Sequence, residues 1–378
     1  MTDQLVAMIL QGGGALGAYQ AGVFEALEHG GVALDWIIGT SIGAINGAII
    51  AGNRPERRLD RLQSFWQGLA PTPWWLDAWS PGAWADAFSP LAATFNAVSK
   101  NQAVVSAMAL GIEGFFKPRF GAALDFNADV PTDEAGFYDT SPLRQTLLDH
   151  VDFEYLNAGP TRLSVCAVNV ATAEFAVFDT ADRSCGPIGP EHIMASGALP
   201  PAFPPIRIGK EVYWDGGIYS NTPLEVLLNG DLTRDALVFM VDLWDPTERL
   251  PTTMAAVMDR MKSIQYTGRT TAQIHVRKRI EDLQKAIRLL SEQLTPEQRE
   301  DKAIAHLIDK GADRTVNVVR LIMQSLNGDD QFRDVDFTTS TVEARWAAGR
   351  ADAVRALRRE AWLKPVPPHA GLVIHELE

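Results

Sequence analysis

The run Trp36-Ile37-Ile38-Gly39-Thr40-Ser41-Ile42-Gly43-Ala44-Ile45-Asn46 constrains the fold of this chain more than any other stretch. A short apolar segment ends at Gly39. A serine follows in the pattern G-x-S-x-G, and small residues continue from Ala44 to Ala51 with helical character. Strand, tight turn and helix is the context in which this pattern forms a nucleophile elbow. The serine then sits at the apex of a strained turn, and the flanking glycines admit a strand and a helix without Cβ clashes. The helix N-terminus under the hydroxyl helps stabilise a developing anion. The competing reading is an ordinary turn between a core strand and a core helix. The five residues alone do not decide between the two.

The segment before the elbow has the same logic. Leu5-Val6-Ala7-Met8-Ile9-Leu10 is continuously apolar, as in a strand of a parallel sheet buried on both faces. Gln11-Gly12-Gly13-Gly14-Ala15-Leu16-Gly17 follows. Leu16, Tyr19, Val23, Ala26 and Leu27 then recur at helical spacing until Gly30-Gly31 stops the helix. A glycine loop between strand and helix presents backbone N–H groups to an anion. Three readings stand: a dinucleotide fingerprint, a turn without a ligand, and an oxyanion hole. The first lacks the acidic residue that should close a second strand, because Asp35 precedes its strand. The neighbouring G-x-S-x-G favours the third.

Further along, Asn53-Arg54-Pro55 opens a helix with Leu59, Leu62, Phe65, Trp66 and Leu69 as its buried stripe. From about 71 to 139 the texture changes. Trp74, Trp75, Trp79 and Trp84 crowd together, Phe88, Phe95, Phe115, Phe116 and Phe120 continue, and charges are sparse. This segment reads either as a second small core or as an insertion that caps a site or touches lipid. Thr140-Ser141-Pro142 starts a helix, and Arg162 to Val168, Glu174 to Asp179 and Leu237 to Leu243 read as strands. Residues His192 to Pro205, with four prolines near the end, read as a rigid non-helical segment. Beyond Pro251 the chain turns helical and charged: Met254 to Leu294, then Pro296 to Leu326. A capping box at Ser340 to Glu343 opens a helix to Trp362, and Leu372 to His375 is strand-like. The expected division is residues 1–250 as a catalytic domain and 251–378 as a helical C-terminal extension.

Composition narrows the partners. A net charge of −13 opposes nucleic-acid binding and simple docking on anionic membranes. The two cysteines, Cys166 and Cys185, have no metal-binding or disulfide spacing, which fits a reducing compartment. The apolar run at Leu5 to Leu10 is too short for a signal peptide, and no stretch reaches the ~18 apolar residues of a membrane span. A cytoplasmic protein is expected, in transient contact with membrane at most. No metal-ligand set is present, so no metal or cofactor is expected.

A serine needs a base within hydrogen-bond reach. Of the seven histidines, His369 and His375 would complete a Ser-Asp-His order, but neither lies in a recognisable catalytic loop. Asp215 differs: it follows Val212-Tyr213-Trp214 and precedes Gly216-Gly217, a tight turn that another backbone can approach. A plain turn aspartate remains the alternative for this position taken alone.

Gly12 to Gly17, then Gly39-Thr40-Ser41-Ile42-Gly43, then Asp215-Gly216-Gly217 together resemble the patatin-like phospholipases. Tyr138 to Leu143, Met194 to Pro200 and Ser220 to Leu224 also resemble that family's bacterial members. The resemblance spans about residues 5 to 245. It implies a three-layer α/β/α fold with a mainly parallel sheet, to which the C-terminal helical region is an addition. It implies Ser41 as nucleophile, Asp215 as its base without a histidine, and the N–H groups of Gly12, Gly13 and Gly14 as the oxyanion hole. Gly39, Gly43, Gly216 and Gly217 would support these turns. The implied activity is acyl transfer from lipid esters, of phospholipase A or lysophospholipase type. A non-lipid carboxylesterase acting on short acyl esters or hydroxyalkanoate polyester chains is the alternative. The family loop usually carries Arg or Lys where this chain has Leu16, which leaves substrate preference open.

Overall fold

A computed structural model describes residues 4–69, 109–119, 127, 129–230, 232–248, 250–326, 329 and 331–376. Trp74, Trp75, Trp79 and Trp84, and with them most of the expected insertion, lie outside the described residues.

The chain opens with β1 (Leu5–Leu10), a glycine loop, and α1 (Ala18–His29). It continues through β2 (Trp36–Thr40), α2 (Ile42–Ala51) and α3 (Pro55–Gly68). A two-stranded antiparallel ladder, β3 (Lys117–Pro118) with β4 (Tyr138–Asp139), lies outside the main sheet. The main sheet then gains β5 (Arg162–Asn169), β6 (Phe175–Asp179), β7 (Ile206–Ile208), β8 (Glu211–Asp215) and β9 (Ala236–Asp242). It is completed by β10 (Val316–Ile322) and β11 (Leu372–Glu376). Among the described residues the order is β11-β10-β9-β1-β2-β5-β8-β7, with β6 also on β5. Every pairing from β11 to β5 is parallel, and β6, β7 and β8 attach antiparallel.

The strands alternate between two cores. Met8 and Leu10 of β1 face a large cluster with Leu27, Ile45, Phe65 and Trp66, under α1, α2, α3 and the Thr339–Arg359 helix. Ala7 and Ile9 face a smaller one with Leu224, Leu227 and Ile274, under the Leu224–Asn229 and Met254–Glu292 helices. Burial on both sides explains why β1 has no polar alternation. The result is the expected three-layer α/β/α arrangement.

Four expectations change. Residues 296–326 are not one helical stretch: two short helices, Pro296–Glu300 and Lys302–Ile308, lead into β10. The valines of β10 fill a slot between β9 and β11, where β-branched side chains pack on both faces. The sheet therefore crosses the expected boundary at residue 250. The helix expected to run to Trp362 starts at Thr339, ahead of the expected capping box, where Asp336 accepts from the Thr338 and Thr341 hydroxyls. Residues Pro190–Ser196 form a helix, so only the part after Ser196 matches the expected non-helical segment. Finally, Phe115 and Phe116 pack with Tyr138 and Phe203, at 4.8 Å between the Phe116 and Tyr138 rings. These two phenylalanines join the large cluster itself, Phe116 within it and Phe115 packed against it, rather than forming a second small core.

Candidate active site

Ser41 stands between β2 and α2 with φ 56° and ψ −125°. Only three non-glycine residues among those described have positive φ. A backbone held there costs roughly 1–3 kcal/mol and persists because its surroundings enforce it. A Cβ on Gly39 would overlap the Gly43 carbonyl, and one on Gly43 would overlap the Leu10 carbonyl. Both glycines are thus required by close approach. The Ser41 N–H donates to Ser196 Oγ at 2.9 Å, and Ser196 Oγ–H donates to the Cys166 carbonyl at 2.6 Å. The Ser41 carbonyl accepts from Ala44 and Ile45 in the first turn of α2. The elbow is pinned on both sides while the serine stays partly exposed.

Sheet register delivers the second group. Thr40 pairs with Cys166 on β5, and Ala167, the next residue, pairs with Asp215 on β8. Asp215 therefore ends its strand one step across β5 from Ser41. Asp215 is 2% exposed. Burial pushes its pKa up to about 7, opposed by hydrogen bonding from the Ser41 side chain and from the Gly217 N–H, which lies 2.7 Å from Oδ1. Gly216 packs directly against the Cys166 carbonyl. A carboxyl with a pKa near neutrality is suited to accept and return a proton in this pH range.

The glycine loop lies against the serine: a Cβ on Gly12 would come 3.1 Å from Ser41 Cβ. The Gly12 N–H donates to the Asn221 carbonyl at 3.4 Å. Its carbonyl accepts from Asn221 Nδ2 and Trp244 Nε1, both at 3.0 Å. Among the described residues no group accepts from the N–H of Gly13 or Gly14, which leaves both N–H groups free. Gly14 has φ 56°, and a Cβ on it would overlap the Asp334 carbonyl. Leu16, an apolar residue, is fully buried, and the loop carries no charge at that position.

The fold brings Ser41, Asp215 and the Gly12–Gly14 loop side by side. The histidines stay apart. His375 bonds Asn317 Oδ1 at 3.0 Å on the far edge of the sheet, and His192 Nδ1 accepts from Gly189 N–H at 2.9 Å. None of the seven bonds Ser41 or Asp215 among the described residues. Ser196, Asn221, Trp244 and Asp334 were not singled out for any role from sequence. Ser196 and Asn221 did fall within family-like segments, a signal that could have found them; Trp244 and Asp334 have none. Among the described residues no group of three or more His, Cys, Asp or Glu is placed to hold a metal ion.

A family model described as patatin-like phospholipase matches residues 8–228, and a second, described as patatin phospholipase, matches residues 264–369. Lysophospholipase nte1 of Aspergillus terreus is 43% identical over 70 residues, covering 16% of this chain and 5% of that protein. Human patatin-like phospholipase domain-containing protein 6 is 41% identical over 66 residues, covering 18% and 5%. The chain thus matches only a small part of the length of these curated relatives. Among solved structures, human GIVD cytosolic phospholipase A2 aligns over 94% of this chain and 59% of its own, with 10% identity and a TM-score of 0.41. Because the first family model covers more than half of the sequence and includes both Ser41 and Asp215, the chain belongs to the patatin-like phospholipase family.

Proposed function

We propose that this chain is a serine acyl hydrolase that cleaves carboxylic esters of lipids, of phospholipase A or lysophospholipase type. The observation that carries this reading is the buried Asp215 carboxyl beside the Ser41 hydroxyl at a strained elbow that faces the glycine loop. In the first half-reaction, Asp215 takes the Ser41 proton while Oγ attacks the ester carbonyl. The tetrahedral oxyanion is held by the Gly13 and Gly14 N–H groups, with Gly12 as a further donor if its long bond to Asn221 opens. The C–O bond breaks, and Asp215 returns the proton to the leaving alcohol. In the second, water adds to the acyl-serine with Asp215 again as base, releasing the fatty acid and restoring Ser41. No helix among the described residues is long and apolar enough to cross a membrane.

The test is a substrate panel of dispersed phospholipid, lysophospholipid, short nitrophenyl esters and hydroxybutyrate oligomers. The lipid reading requires the lipids to be the better substrates by kcat/KM. Preference for the short esters or the oligomers would favour the carboxylesterase alternative, which the net charge of −13 keeps in view.

Two further results are expected. The rate should rise tenfold per pH unit below about pH 7 and level off above it, because the base must be ionised. A profile flat down to pH 5 would argue against Asp215. His369→Ala and His375→Ala should retain kcat within about threefold, since a general base contributes typically 10²–10⁴-fold. A loss of that larger size in a folded variant would point instead to a histidine-dependent triad.

A further inference from the structure

We infer that the C-terminal region, through residues 331–337 and the helix that grips them, is a positioning element for the oxyanion loop. This rests on the glycine-loop reading above and assigns a task to a part of the chain that no motif explains.

The observations converge on Gly14. Its Cα packs against the backbone carbonyl of Asp334 so closely that no side chain fits between them. Gly14 also supplies one of the two free N–H donors of the loop. The orientation of that donor is therefore set by where Asp334 sits. Asp334 is itself held from the Met254–Glu292 helix: Lys262 Nζ donates to Asp334 Oδ1 at 2.9 Å, to Oδ2 at 3.0 Å and to the Gln331 carbonyl at 2.9 Å.

The neighbouring Arg333 is 2% exposed. It bonds Glu248 Oε1 at 2.8 Å, Ser263 Oγ at 2.7 Å and Ser325 Oγ at 2.6 Å, and it forms an ion pair with Asp259 at 3.0 Å. Its guanidinium lies 5.1 Å from the centre of the Trp244 ring, and the Trp244 N–H holds the Gly12 carbonyl. On the other side Phe337 stacks on Trp66 at 6.2 Å. The Trp66 N–H donates to Asn46 Oδ1, and the Asn46 amide to the Gly17 carbonyl. The segment thus touches the loop at Gly14, leads to Gly12 through Trp244, and leads to the Gly17 end through Trp66 and Asn46.

Charge does not explain the arrangement. Arg333 is matched by Glu248 and Asp259, and Lys262 by Asp334, so the cluster offers no net cation to the oxyanion. Geometry is what it supplies: a small misplacement of a donor is enough to lower the rate greatly.

Arg333→Ala would leave the Asp259 carboxylate without its ion-pair partner and is a poor test. Lys262 is one-third exposed and belongs to neither apolar core. We expect Lys262→Ala to lower kcat about tenfold or more while KM changes less than about twofold. Labelling of Ser41 by a fluorophosphonate, whose phosphoryl oxygen takes the oxyanion position, should slow by the same factor. Circular dichroism and the melting temperature should stay near those of the parent, and Lys262→Arg should restore most of the rate. Unchanged kcat and labelling in Lys262→Ala would overturn the proposal. So would a parallel loss of melting temperature and of both kinetic constants, which marks a merely structural role. Ser41→Ala, run alongside, separates the two levels. If it retains hydrolysis, the serine reading itself has failed. If it is inert while Lys262→Ala is normal, only the positioning role falls.

Discussion

Ser41→Ala is expected to reduce hydrolysis on the order of 10⁴-fold or more, since no other hydroxyl can occupy the elbow and form the acyl-enzyme. The loss should fall on kcat and be accompanied by complete loss of fluorophosphonate labelling, read as an absent mass increment. The fold should persist. The bonds that pin residue 41 run through its N–H to Ser196 and through its carbonyl to Ala44 and Ile45, and alanine keeps all of them. Substantial turnover by the folded variant would reject Ser41 as nucleophile, whatever its backbone strain.

Asp215→Asn should abolish activity to a similar degree and at the same time stabilise the protein at alkaline pH. An amide cannot take the Ser41 proton. The stability effect follows from linkage. The folded carboxyl titrates near 7, whereas the unfolded one titrates near 3.8. Between those values the folded state binds more protons than the unfolded state, so stability falls as pH rises through this window and then stays constant. A shift of that size corresponds to roughly 4 kcal/mol of destabilisation above pH 7. Asparagine never ionises and can still accept from the Gly217 N–H. Its melting temperature should therefore exceed the parent's by several degrees at pH 8 and match it near pH 4. Thermal denaturation at the two pH values measures this. An equal melting temperature at pH 8 would mean that the carboxyl is not desolvated in the folded protein, and retained hydrolysis would remove it as the base.

Patterns of short range carried most of the fold. β1 was visible because both faces of a central parallel strand are buried, and α1 and α3 because their apolar stripes repeat at helical spacing. The elbow was visible because its glycines must lie within two residues of the serine to clear Leu10 and each other. β10 was hidden for the opposite reason: its apolar residues sit in a charged, helix-rich stretch, and its slot between β9 and β11 exists only once the sheet is assembled. The helix at Pro190–Ser196 was obscured by the prolines that follow it.

The same division runs through the site. Ser41, Asp215 and the glycine loop were each marked locally, by a turn chemistry that only certain residues can adopt. Their approach was not, because it depends on the register of β5 between β2 and β8, which places Thr40 opposite Cys166 and Asp215 opposite Ala167. The near-neutral titration of Asp215 likewise comes from burial, a property of the whole fold. The sequence by itself determined which residues stand at the turns to which the proposed chemistry is assigned. The tertiary structure alone decided what holds them in place, because a contact such as Asp334 on Gly14 joins positions far apart in the chain and leaves no periodicity or motif at either end.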